Sequence, residues 1–129
     1  MKKKYNWVYI LTCGDGSMYT GITNNIVRRY SEHITKRAGC KYTRRKDKHP
    51  LELSMCWKVF GTRGDAIKVE IFIKKGRRKF KKRLINSPQM LKDIFYDKTG
   101  YELKILPYED IEKVERETKI VVDRINESK

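Results

Sequence analysis

Long apolar runs, paired cysteines and, over two-thirds of its length, acidic side chains are in short supply in this 129-residue chain. The longest apolar stretch is the five residues Trp7 to Leu11, far short of the ~20 that span a bilayer, so no membrane role is expected. The Lys-rich start lacks the apolar segment of a secretory signal, and the expectation is an intracellular, cytoplasmic protein. Three cysteines, Cys13, Cys40 and Cys56, form an odd set with no CxxC pair. That pattern suggests neither a disulfide framework nor a zinc site, and buried, reduced thiols are the expectation. Residues 1 to 85 hold only 6 Asp and Glu against 23 Lys and Arg, whereas residues 86 to 129 hold 10 against 8. The basic surface therefore belongs to the earlier part of the chain. A field of one sign attracts polyanions and speeds encounter with them, and nucleic acid is the commonest intracellular candidate.

The length suits one domain with a core of its own plus an appended segment. Tyr5 to Leu11 and Ser17 to Ile22 are rich in aromatic and β-branched residues, with Gly14-Asp15-Gly16-Ser17 between them, which predicts a β-hairpin. Thr23 or Asn24 is the expected cap of a helix in which Ile26, Tyr30 and Ile34 recur as a buried stripe. Arg29 and His33 lie four apart on an adjoining face and so converge on one spot. Residues 36 to 50, with Gly39, many cations and His49-Pro50, read as a basic loop. Leu51 to Phe60 reads as a third strand. Thr62 and Asp65 have the spacing of a capping box at the start of a helix through Ile73, ended by Gly76. A strongly cationic segment, Arg77 to Ile85, follows. Ser87-Pro88 then has the chemistry of another helix start, running through Leu91, Ile94 and Phe95. Tyr101 to Leu106 has the composition of a short strand. Ile111, Val114, Thr118, Val121, Val122 and Ile125 make a stripe on a last helix. That stripe packs on its own domain or, through residues 108–127, on a second copy or a protein partner.

Phosphodiester hydrolysis needs a base to activate water, a cation for the transition state and usually a carboxylate-held metal. Glu70 is an acid set within an otherwise apolar helical segment, which is costly unless it holds a cation. The alternative is a surface pair with Lys74 one turn on, worth about 0.3–0.5 kcal/mol. Trp7-Val8-Tyr9 and Tyr19-Thr20-Gly21, with Arg29 eight residues past that glycine, resemble the two triplets and the arginine of GIY-YIG nucleases. The resemblance extends to Asp15-Gly16-Ser17, Arg28-Arg29, Glu32-His33, Lys41-Tyr42-Thr43-Arg44 and the segment around Glu70, and covers residues 5 to 85. Trp7-Val8 before the first tyrosine, Thr20 in the second triplet, and Ile22 where some members have lysine, depart from the pattern.

The resemblance implies an α+β fold, a small three-stranded antiparallel sheet flanked by helices, with residues 1–85 as the nuclease-like domain. Residues 86–129 fall outside it and read as a C-terminal helical extension with a candidate short strand. It implies an endonuclease cutting DNA by a one-metal mechanism with Mg²⁺ or Mn²⁺ on Glu70. Arg29 would clamp the phosphate and Tyr9 would serve as general base. Tyr19 would orient water or phosphate, and His33 is an alternative base. A free tyrosine ionises near 10, so Tyr9 needs neighbouring cations to act near neutrality, whereas His33 does not. Lys41, Arg44 and Arg45 are candidate backbone-phosphate contacts. RNA stays open as a substrate, and DNA binding would place the protein with the nucleoid. The rival is a nucleic-acid-binding protein that keeps the fold and basic face without cutting. On strand composition alone Tyr9 and Tyr19 are ordinary strand aromatics, and Arg29 alone is a solvated helix cation.

Overall fold

Alternation along the first strand decides the layering. Trp7, Tyr9 and Leu11 are buried on one face of a sheet, while Val8 and Ile10 are buried on the other. The computed structural model describes residues 4–36 and 41–128, and Cys40 and Gly39 lie outside them. Strands β1 (Tyr5–Thr12), β2 (Met18–Thr23), β3 (Glu52–Phe60) and β4 (Ile105–Pro107) form one antiparallel sheet in the order β2-β1-β3-β4. The helices are α1 (Ile26–Thr35), α2 (Lys41–Arg44), α3 (Arg63–Lys75), α4 (Arg78–Asn86), α5 (Leu91–Thr99) and α6 (Ile111–Glu127).

The sheet thus has four strands rather than three. The outer edge of β3 would otherwise present unpaired N–H and C=O groups. Ile105, Leu106 and Pro107 pair there with Val59, Lys58 and Trp57, and Phe60 N–H donates to the Lys104 carbonyl. Pro107 is tolerated because β4 is itself an edge strand.

One core layer joins Val8, Ile10, Trp57 and Val59 to Ala66, Val69 and Ile73 of α3, and to Leu84, Leu91, Phe95 and Ile105. Residues beyond position 85 therefore fill the same core as the first strands. The other layer joins Trp7, Tyr9, Leu11 and Cys56 to Ile26 and Tyr30 of α1 and Val114 of α6. The α6 stripe packs along α1, with the Tyr30 hydroxyl donating to Glu115 and accepting from Leu53 N–H. Cys13 and Cys56 are both buried, and burial pushes the Cys56 thiol up to about 12.

Local signals differ from expectation in three places. Asn25, not Thr23 or Asn24, caps α1, because the Thr23 hydroxyl is already taken by Asn25 N–H. The basic loop contains α2 and a 3-10 turn at Lys46–Lys48. Pro88–Met90 is a 3-10 turn without a Ser87 side-chain cap, and α5 proper begins at Leu91. Thr62 and Asp65 do form the reciprocal capping box, and Gly76 ends α3.

Candidate active site

Tyr9 projects from the central strand β1 toward α1, directly opposite Gly21 on β2. A Cβ at position 21 would lie 2.5 Å from the Tyr9 hydroxyl oxygen and 2.6 Å from its ring carbon. The glycine of the second triplet is therefore the gap through which the phenol passes. Two turns into α1, His33 Nε2 lies 2.8 Å from that hydroxyl, and both residues are only 1% exposed. The other imidazole nitrogen, Nδ1, is 2.7 Å from Thr43 Oγ1 of α2, also 1% exposed. Burial, followed by the charges of Arg29 and His49, lowers the His33 pKa from 6.5 to about 4, so the ring is neutral at pH 7.

Arg29 lies one turn before His33 and completes this cluster. Burial works against its charge, but hydrogen bonding to Glu32 (3.1 Å) and the adjacent Tyr9 oxygen more than offset that and raise its pKa. The Tyr19 ring meets His33 edge-on at 5.3 Å and Tyr9 at 6.4 Å between centroids. Four of the five central candidates, Tyr9, Tyr19, Arg29 and His33, thus share one face of the sheet.

Glu70 comes from α3, in the opposite layer, and meets that group through Lys74. The Lys74 ammonium is 3.4 Å from the Glu70 carboxylate and 5.9 Å from the centroid of Tyr19, on the outer strand β2. The helical pairing open in the sequence is therefore present. The Glu70 side chain is only 15% exposed and its partner is held at a long distance, so its oxygens keep lone pairs for a cation. Among the described residues no group of three or more His, Cys, Asp or Glu side chains gathers as a metal cage. A magnesium-like ion therefore fits here only with one protein carboxylate, completed by water and substrate oxygens, a coordination that ion commonly adopts.

Lys41, Arg44 and Arg45 are all exposed on the α2 segment, and Arg45 pairs with Asp47 at 2.9 Å. The structure adds residues that sequence reasoning missed. Thr43 lies within the Lys41-Tyr42-Thr43-Arg44 segment, whose cations are the signal visible in the sequence. Lys48, counted as a loop charge, is 7% exposed, bonds Asp15 at 2.6 Å and stands 4.3 Å from the Tyr42 ring centroid. That bond, first among its causes, draws the Asp15 carboxyl far below the usual range. Tyr42 in turn stacks on Tyr19 at 5.9 Å. The α2 segment is thereby fixed to the hairpin turn beside the phenol.

Comparison with known proteins follows the same residues. A profile of the GIY-YIG catalytic domain matches residues 5–84. A UPF0213 protein of Limosilactobacillus reuteri is 40% identical over 83 residues, covering 64% of this chain and 83% of that protein. A UPF0213 protein of Clostridium perfringens is 40% identical over 93 residues, covering 72% and 95%. The solution NMR structure of the UPF0213 protein from Bacillus halodurans is 36% identical, covers 64% of this chain and 83% of that one, and superposes with a TM-score of 0.41.

Proposed function

Since the chain belongs to the GIY-YIG catalytic-domain family, whose nuclease character is its premise, we propose that it is a metal-dependent endonuclease hydrolysing phosphodiester bonds in DNA. The observation that carries this reading is the buried Tyr9–His33 contact at 2.8 Å with Arg29 alongside. A buried packing tyrosine needs a hydrogen-bond partner for its hydroxyl, but here an imidazole and a guanidinium both converge on it.

In this reading Thr43 donates its O–H to His33 Nδ1, which fixes the tautomer that carries its proton on Nε2. Nε2–H then donates to the Tyr9 oxygen. With Arg29 beside it, that oxygen is surrounded by groups that stabilise negative charge; the phenol releases its own proton to solvent, and the resulting phenolate takes the proton of the attacking water and returns to the phenol. The water oxygen bonds to phosphorus as the bond from phosphorus to the 3′-oxygen breaks, and solvent protonates the departing oxygen. Arg29 also presents a planar pair of donors to the non-bridging oxygens, which a lysine cannot reproduce. Tyr19, at the sheet edge, orients the water or the phosphate. Mg²⁺ or Mn²⁺ held by Glu70 would supply polarisation of the phosphate and charge stabilisation at the leaving oxygen. Lys41 and Arg44 would contact the flanking backbone; Arg45, paired with Asp47, is the weakest of the three.

A second reading, a binding protein that does not cut, is favoured by one observation: Lys74 already occupies one side of Glu70. Incubation of single-stranded, duplex, flapped and branched DNA with Mg²⁺ or Mn²⁺, beside Arg29→Ala and Glu70→Ala, separates the two. Cutting by the parent and a loss of about 100-fold or more in either variant is expected. Cutting that persists in both variants sinks this mechanism, and salt-sensitive binding with no cutting by any of them supports the second reading.

A further inference from the structure

Helix α4 has no part in the cluster around Tyr9, yet its composition is the most one-sided of any segment. Arg78, Lys79, Lys82 and Arg83 are exposed on it together with Asn86, and it contains no acidic residue. Among the described residues, none of the ion pairs uses a cation of this helix. Four unneutralised like charges on two turns repel one another, and that cost is recovered only when an anion is brought in.

Its apolar side is already committed. Leu84 is fully buried, and Phe80 packs edge-on against Phe72 at 5.8 Å. Ile85 is partly buried against the same core. A membrane-surface helix or a groove-binding partner needs a free apolar face, and α4 has none to offer. What remains for a partner is charge alone.

Position then selects the polyanion. The Arg78 guanidinium lies 3.6 Å from where a Cβ of Gly16 would be, so α4 begins against the hairpin turn that precedes Tyr19. On its other side α4 follows α3, whose last turn carries Lys74, 3.4 Å from Glu70. We infer that the exposed side of α4 is a phosphate-backbone contact surface, which holds the nucleic-acid strand on one side of the bond presented to Tyr9 and Arg29. The choice of nucleic acid rests on the nuclease reading above, but the surface is tested without any cutting.

The experiment is fluorescence anisotropy on the full chain in EDTA, with labelled single-stranded and duplex oligonucleotides across 50–300 mM salt. The triple variant Lys79→Gln, Lys82→Gln, Arg83→Gln should lower the slope of log affinity against log salt by about 2 to 3, and each single change by about 1. The triple variant Lys113→Gln, Lys119→Gln, Arg124→Gln removes as much charge from exposed positions on α6 and should leave the slope unchanged. Matching thermal melts confirm that the exposed changes leave folding intact. An unchanged slope in the α4 variant overturns the inference, as does an equal fall in the α6 variant. So does loss of binding to anionic phospholipid vesicles with oligonucleotide binding intact. If the α4 slope falls but no protein cuts when Mg²⁺ is restored, the surface stands and the nuclease reading fails. If the parent cuts and the α4 slope is intact, the surface alone fails.

Discussion

The hydroxyl of Thr20 is enclosed at 2% exposure with no hydrogen-bond partner among the described residues. Thr20 departs from the second triplet of the family pattern, and its side chain lies away from the Tyr9 face. Replacing it by valine keeps the shape and removes an orphan polar atom, so Thr20→Val should raise stability by about 1 kcal/mol, read as a higher melting temperature. Thr43 differs because its hydroxyl is used. Thr43→Val should slow cutting by about tenfold or more with little change in substrate affinity, while Thr43→Ser restores the rate. His33 governs the acid limb of stability. Its folded pKa of about 4 lies below the unfolded 6.5, so between those values the unfolded state binds the extra proton. The stability from keeping it neutral is complete above about 6.5 and falls away as pH drops toward 4. Chemical denaturation at pH 7, 5.5 and 4 should therefore show a shallower acid loss in His33→Gln than in the parent. Tyr9, Arg29 and His33 stand out in the sequence through the family resemblance, since composition alone reads Tyr9 as a strand aromatic and Arg29 as a solvated cation; β1 and α1 do bring them side by side. Thr43 does not stand out, since its role depends on where α2 docks.

At the scale of elements, strands and helix starts with local chemistry were legible, and those set by competition were not. The Thr62–Asp65 box needs only three-residue spacing and is present. The α1 cap was misplaced because Thr23, Asn24 and Asn25 all have capping side chains, and only the folded chain shows that Asn25 accepts from Arg28 N–H at 3.1 Å. Asn25→Ala should cost about 1 kcal/mol in thermal denaturation, and Asn24→Ala, whose side chain accepts only from exposed Arg28, much less. The fourth strand escaped a sheet count made from the nuclease-like region because its reason for existing is the unpaired edge of β3, not its own three residues. Tyr101 to Lys104 stay outside the ladder and only β4 enters it.

For the whole molecule, the charge asymmetry of the sequence is matched by a division of labour in space. The basic part carries the phenol cluster and α4, while the less basic part closes the core and the sheet edge. Leu91, Phe95 and Ile105, all beyond position 85, are 0%, 1% and 3% exposed. Burying three such side chains contributes roughly 5–9 kcal/mol, comparable to the net stability of a typical domain. A fragment ending at residue 85 should consequently lose its cooperative melt by circular dichroism, even though it retains every candidate catalytic residue. No helix among the described residues is long and apolar enough to cross a membrane.

The clasp between the hairpin turn and the α2 segment reaches further than its own contacts. Lys48 bonds Asp15, Gly14 N–H donates to the Lys48 carbonyl, and His49 Nε2 lies 2.7 Å from the Thr43 carbonyl oxygen. A Cβ on Gly14 would collide with the His49 backbone. The turn is thus the fulcrum on which Thr43, and through it the His33 ring, is levelled against Tyr9. A single residue inserted between Gly14 and Ser17 would tilt the His33 ring against the Tyr9 phenol without touching either side chain.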